Sequence, residues 1–319
     1  MKYSGIDLHS NNCVITIIDE TDKVIVERRL PNDLEKIVAF LEPHRAELAG
    51  VVVESTFNWY WLVDGLQEAA YQVHLANTTA IKKYEGLKHS GDETDARHLA
   101  HLLRLGILPT GTILPPDLRD VRDLARKRMQ LVNMRTMQIL SVETIFSRTT
   151  GKRLTSNQVK RLTVAGLAEL GLSEGVTLSL QTHVSVIEVL QRQIEELENR
   201  LRLKVCCEDD FKRLMTVPGI GTVLATMIYL ETGPIDRFAG PGNYASYARC
   251  VSSEYTSNGK KKGQGNTKNG NRYLAWAFVE AAHFAARFCP QAKRFYERKK
   301  AKGNTALATK VRFPDQTGH

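Results

Sequence analysis

In GDETDARHLA, residues 91–100, Asp92 and Asp95 stand three apart. If the stretch is helical, both carboxylates project from one face of its first turn. Two like charges so close repel unless a cation lies between them. The pair therefore reads either as the capped start of a surface helix or as half of a metal site. Two further carboxylates occupy telling positions: Asp7 ends the run YSGID, and Glu54 ends the apolar run GVVVE. Carboxylate oxygens suit hard divalent ions such as Mg²⁺. Two such ions clamp a phosphodiester and stabilise both its attacking and its leaving oxygen. Taken singly, each acid has a plainer role: Asp7 begins a turn, Glu54 caps the next helix, and Asp92 is an N-cap.

The elements around them decide whether they can meet. Tyr3–Asp7, Cys13–Asp19 and Lys23–Arg29 are β-rich runs separated by SNN and ETD, the pattern of an antiparallel meander. A helix over Asn32–Leu41 follows, opened by Pro31, Asn32 and Asp33. Gly50–Glu54 has the compact apolar character of a buried central strand. A helix over Asn58–Ala70 and a strand over Tyr71–Leu75 complete a layered α/β pattern. In open sheets reactive groups gather at the carboxyl ends of strands. A first-strand Asp, a central-strand Glu and a downstream acidic pair on such a frame favour the RNase H-like nuclease fold. In FNWYWLV, the aromatic residues Phe57, Trp59, Tyr60 and Trp61 follow a core strand and are expected to be buried rather than to stack on bases.

From Asp117 to Thr150 the pattern becomes a long basic helix, apolar at Leu118, Val121, Leu124, Leu131 and Met134. Its Arg122, Arg126, Lys127 and Arg128 face an RNA backbone or merely solvate the helix. A second long helix runs near Leu178–Val205, where Ile187, Leu190, Ile194, Leu197 and Leu201 form a short heptad seam. That seam suits packing within the chain and dimerisation about equally. A third region starts near Asp210. In it Val217-Pro218-Gly219-Ile220-Gly221 has the look of a helix-hairpin-helix turn, whose helix-start amides can meet a phosphate; a Pro-Gly turn between buried helices would read the same. The expected boundaries are 1–115, 116–208 and 209–319.

Lys and Arg exceed Asp and Glu by 44 to 35 over 319 residues, a formal charge of +9 that favours a polyanionic partner. The five cysteines form no CxxC pair and show no zinc-ligand spacing with His. The start, MKYSGIDLHS, lacks the apolar stretch of a secretory signal, and no run is long and apolar enough to span a bilayer. The expected place is the cytoplasm.

YSGIDLHSN, VVVEST, GDETDARHLA, VPGIG and TSNGKKKG…KNGNRYLAWAFVEAA occur in that order. Together they resemble the DEDD insertion-sequence transposases, the "one-ten" insertion-sequence family of bacterial mobile elements, over almost the whole chain. The resemblance implies a RuvC-like N-terminal domain whose acidic tetrad is Asp7, Glu54, Asp92 and Asp95, binding Mg²⁺. It implies a long-helix coiled-coil middle and a mainly helical C-terminal transposase domain with a serine nucleophile. Ser257 in YTSNG fits that place, and the mechanism implied is that of a serine recombinase forming a covalent phosphoserine. The partners implied are the DNA of the element ends and target, a structured noncoding bridge RNA, and further copies of the chain: a homodimer assembling to a tetramer with composite catalytic sites.

The residues themselves say less about Ser257. A hydroxyl is a poor nucleophile without activation, no His stands nearby, and Ser252 and Ser253 are competitors. Lys260, Lys261, Lys262, Lys268 and Arg272, with no acid among residues 258–273, form a basic strip suited to clamping phosphates. The resemblance implies a helix continuing past KGNTALATK, where this chain has VRFPDQTGH, which reads as a truncated or frame-shifted end. Two rivals follow: a metal-dependent junction resolvase in which water attacks, and an inactive nucleic-acid-binding remnant.

Overall fold

The computed structural model describes residues 1–81, 91–251, 255–263 and 269–302. It divides into two compact units, Met1–Pro116 with Ser253–Asn269, and Asp117–Ser252 with Gly270–His319.

The first unit is built on a six-stranded mixed sheet. Its strands are β1 (Lys2–Leu8), β2 (Asn12–Asp19), β3 (Val24–Pro31), β4 (Leu48–Glu54), β5 (Val73–Ala76) and the two-residue β6 (Thr110–Gly111), in the order β3-β2-β1-β4-β5-β6. β1, β2 and β3 form the antiparallel meander, β4 and β5 add in parallel to β1, and β6 closes the edge antiparallel. The arrangement fits the expected RNase H-like α/β domain. Helices α1 (Leu34–Leu41) and α2 (Tyr60–Glu68) cover one face. There Ile6, Leu8, Val51 and Val53 meet Ile37, Leu41, Leu62 and Leu66 in a fully buried core. Asp33 caps α1 by accepting a hydrogen bond from Lys36 N, which starts the helix two residues after the expected point. Side chains alternate along strands, so Gly5 and Asp7 of β1 and Val52 and Glu54 of β4 point to the other face. That face is covered by α3 (Asp92–Arg104), through Leu99 against Val52 and Ala76.

The aromatic run is split. Trp59 and Trp61 pack against the core as expected, whereas Phe57 is 85% exposed. It precedes α2 and so escapes the helix face that buries its neighbours.

The second unit is helical. α4 (Pro116–Thr150) and α7 (Glu174–Val205) run antiparallel, joined by Arg128 to Glu198, Arg135 to Gln191 and Gln138 to His183. Two short helices, α5 (Ser156–Val159) and α6 (Val164–Ala168), close one end, where Ile139 and Val142 meet Leu180, Val184 and Ile187. At the other end Leu201 and Val205 enter a second core with α8 (Asp209–Met215), α9 (Thr222–Thr232), α10 (Pro241–Tyr247) and α11 (Arg272–Phe288); α12 (Pro290–Lys302) follows. The heptad seam is therefore covered within the chain at both its ends. Met134 departs from expectation and is 40% exposed. The VPGIG turn is seated on α11: a Cβ at Gly219, whose φ is +93°, would collide with the Ala281 carbonyl. No helix of the described residues is long and apolar enough to cross a membrane.

Candidate active site

β1 and β4 set the site. Their last registered pair is Ile6 with Val53, and one residue further along stand Asp7 and Glu54. The two acids thus stand side by side at the carboxyl ends of adjacent parallel strands, Asp7 as the penultimate residue of β1 and Glu54 as the last of β4, and point to the face that α3 covers. Asp7 is 4% exposed, and Glu54 is half-buried.

α3 carries the other pair, of which Asp92 converges with Asp7, whereas Asp95 and Glu54 are not among the residues whose ligand atoms come together. Its N-cap is Gly91, with Asp92, Glu93 and Asp95 in the first turn, where the helix dipole favours negative charge. Asp92 does not cap the helix. Its Oδ2 accepts a hydrogen bond of 2.6 Å from Arg29 of β3 instead, which holds the carboxyl below the usual range, with the nearby His9 ring and the Arg29 charge assisting.

The structure adds a residue that the sequence did not single out. His9, just beyond β1, sends Nε2 to 3.2 Å from Asp92 Oδ2 and 3.4 Å from Asp7 Oδ2. Its backbone is fixed from three sides. The His9 N–H donates to the Asn12 carbonyl at 2.9 Å, while Asn32 and Asn58 donate side-chain amides to the His9 carbonyl at 3.0 and 2.9 Å. A lone His in a turn carries no signature in sequence; only the fold shows what it faces.

One ligand atom from each of Asp7, His9 and Asp92 lies within 4.8 Å of the others, the group among the described residues that could hold a metal ion. His9 Nε2 is solvent-inaccessible and, although close to both carboxylates, makes no aligned hydrogen bond. A ring nitrogen close to two carboxylates gives three ligand atoms that a divalent cation could share. Two carboxylates suit Mg²⁺, and the imidazole also accommodates Mn²⁺. The negative charge of Asp7 is felt next door: burial pushes the Cys13 thiol up to about 11, and Asp7 adds to the rise.

Ser257 stands on a second, two-stranded sheet made of β7 (Tyr255–Ser257) and β8 (Lys260–Gly263). Ser257 pairs with Lys260 across Asn258 and Gly259, both left-handed at φ +50° and +70°. This is a two-residue hairpin of the primed type, for which the Asn-Gly dipeptide was the available signal. Ser257, Lys260 and Lys262 are exposed; Lys261 lies on β8, and Lys268 lies outside the described residues. Arg272 opens α11, exposed, with its guanidinium 5.0 Å from the Tyr273 ring centre.

In the basic stretch of α4 two arginines are paired within the chain, and Lys127 is exposed. Arg126 grips the buried Glu231 of α9 at 2.6 and 2.8 Å, and Arg128 bonds Glu198 of α7 at 2.8 Å. Arg122 lies 3.5 Å from Asp123, and Lys127 bonds Gln130.

A family model for DEDD transposases of the IS110 type matches residues 4–150, and a second, "Transposase IS116/IS110/IS902 family", matches residues 211–297. Over 295 residues, 89% of this chain and 84% of the relative, the chain is 21% identical to a probable family 20 transposase of Pseudomonas aeruginosa. Over 290 residues, 88% of this chain and 77% of the relative, it is 22% identical to the transposase for insertion sequence element IS1111A of Coxiella burnetii. A shorter match of 93 residues, 29% of this chain and 28% of the relative, is 29% identical to the transposase for insertion sequence element IS1328 of Yersinia enterocolitica. With both models matched in order on a sheet that presents the acidic residues at its strand ends, the chain belongs to the IS110-type DEDD transposases.

Proposed function

We propose that the protein cuts and rejoins DNA strands at the ends of an insertion sequence and at its target through a phosphoserine intermediate. Asp7, Glu54, Asp92 and Asp95, together with His9, hold the divalent cation, Mg²⁺ by family resemblance. The observation that carries this reading is the approach of Asp7 and Asp92 to one His9 nitrogen, at 3.4 and 3.2 Å. When bound, the cation supplies charge stabilisation for a phosphodiester whose negative charge grows during displacement.

Ser257 Oγ is the nucleophile. The bond from Oγ to phosphorus forms as one phosphorus–oxygen bond to a sugar breaks; the serine gives up its proton, and the released sugar oxygen takes one up. Attack by a sugar hydroxyl of the other strand reverses the exchange and rejoins the DNA. Exposure of Ser257 on a tight hairpin, beside Lys260 and Lys262, supports this role, because the lysines attract phosphates and counter the charge of the attacked group. In this account residues 1–115 supply the acidic site, 116–208 the long helices and 209–319 the serine region. A structured bridge RNA selects the DNA, and a homodimer pairs into a tetramer; both follow from the family resemblance.

The test is Asp7→Asn in the full chain. It should fold, lose strand cleavage and bind Mn²⁺ more weakly. Cleavage at the wild-type rate would remove the acidic site from the chemistry.

A further inference from the structure

The register of the sheet carries a further charged group to the acidic site. Asp7 of β1 pairs with Val14 of β2, and Val14 pairs in turn with Arg29 of β3. Residues directly opposite each other on neighbouring strands share a face, so Asp7, Val14 and Arg29 form one row on the face that α3 covers. From the end of that row the Arg29 side chain meets α3: Nη2 donates to Asp92 Oδ2 at 2.6 Å. Its Nη1 donates to Asn12 Oδ1 of β2 at 2.8 Å. Both arms of the guanidinium fork are used, which fixes where its charge lies.

Asp92 Oδ2 is thus a shared atom, because His9 Nε2 lies 3.2 Å from it. Asp7, His9 and Asp92 are the residues whose ligand atoms come together. A ligating imidazole is neutral, so Asp7 and Asp92 offer two negative charges to a cation, and Arg29 cancels one of them. Two effects on a divalent ion then oppose each other. Arg29 helps by holding Asp92 in one rotamer, and with three staggered wells available that gain is about threefold at most. His9 stands beside the same oxygen, which makes the orienting share of Arg29 smaller still. Arg29 hinders by laying a positive charge on a carboxylate that the ion must use. A unit charge beside a doubly charged ion costs about fivefold or more in affinity even at water-like screening. Repulsion outweighs orientation.

We propose that Arg29, acting through Asp92, sets the affinity of the acidic site for its divalent cation, and sets it low. The inference rests on the reading of Asp7, His9 and Asp92 as a cation site.

Calorimetric titration of the full chain with Mn²⁺, without nucleic acid, tests it. Arg29→Met removes the charge and keeps the apolar stem, whereas Arg29→Lys keeps the charge and gives up the fork. Asp7→Asn in each background identifies the heat that belongs to the acidic site. The expected result has three parts: Arg29→Met binds about fivefold tighter than wild type or more at about 0.05 M salt, gains less at about 0.5 M salt, and Arg29→Lys stays within about threefold of wild type. The narrowing with salt separates an effect of charge from one of packing. Should Arg29→Met fail to fold, Arg29→Gln carries the test. Weaker binding by the neutral variant would overturn the inference and make Arg29 a residue that orients Asp92. Equal binding would overturn it too, as would a gain in Arg29→Lys as large as that in Arg29→Met; each of these results leaves the cation site standing. If neither wild type nor variant binds Mn²⁺ in a way that Asp7→Asn abolishes, the cation site itself falls, and the inference with it.

Discussion

Gly5 of β1 lies directly against Ala96 of α3. A Cβ on Gly5 would collide with the Ala96 carbonyl and come within 2.8 Å of Ala100 N. The missing side chain is what lets α3 descend onto β1, and that descent sets Asp92 above Asp7. The helix is seated backbone to backbone, so the spacing of two carboxylates depends on the absence of one methyl group.

Gly5→Ala should therefore lift α3. Overpacking of this kind costs about 1–3 kcal/mol, and the carboxylate spacing changes with it. Thermal melting and a Mn²⁺ titration read the two effects separately. A variant with unchanged stability and unchanged ion affinity would show that α3 does not set the site.

The same helix is held by Glu27 of β3, which accepts from Arg97 at 2.7 and 2.9 Å and from Thr16 at 2.8 Å. The bond from Arg97 is the main cause of a Glu27 carboxyl held below its usual range. A carboxyl lowered on folding stabilises above its unfolded value, and that contribution disappears as pH falls through the folded value. Glu27→Gln should remove it and flatten the acid side of the stability profile. Arg97 is half exposed, so solvent screening keeps the effect below about 1 kcal/mol. Urea melts at neutral pH and below the carboxylate range check this; identical pH profiles would contradict it.

His9→Ala should weaken Mn²⁺ binding about tenfold or more while leaving the fold intact, since the His9 backbone is held through its own N–H and carbonyl. Calorimetric titration of the DNA-free protein measures it without reference to activity. Unaltered affinity would leave His9 as a neighbour of the acids and nothing more.

Glu231→Gln leaves Arg126 with no charge partner on α9, and breaking such a buried pair costs about 3 kcal/mol. Urea unfolding reads the loss. A change below 0.5 kcal/mol, roughly that of an ordinary surface substitution, would mean that solvent reaches the pair.

Much of this frame was legible in the residues. The β-rich run Cys13–Asp19, bounded by turn residues on both sides, placed β2 to within one residue; six consecutive residues of the strand are buried, so both its faces are covered. Asp7 and Glu54 were recognisable because each stands at the carboxyl end of a strand whose neighbour could be inferred from topology. His9 was not, because its partners Asp7 and Asp92 meet it only after β1 and α3 have packed. Arg126 and Arg128 read as cations for an RNA backbone or for solvent, because sequence shows the run of cations and hides the carboxylates, Glu231 and Glu198, that lie far along the chain. The hairpin at Ser257 was written in Asn258-Gly259, but the lysines around it drew attention to charge rather than to the turn.

The most direct measurement is the fate of the protein–DNA adduct when the hydroxyl is removed. With DNA carrying an element boundary and the cognate RNA, the wild type should form a covalent adduct on a peptide containing Ser257. Ser257→Ala should lose both the adduct and cleavage yet keep nucleic-acid affinity, because one hydroxyl adds little to binding dominated by phosphate contacts. Ser252→Ala and Ser253→Ala should keep the adduct. Cleavage by Ser257→Ala at the element boundary would contradict the account and make water, rather than serine, the attacking group at the acidic site.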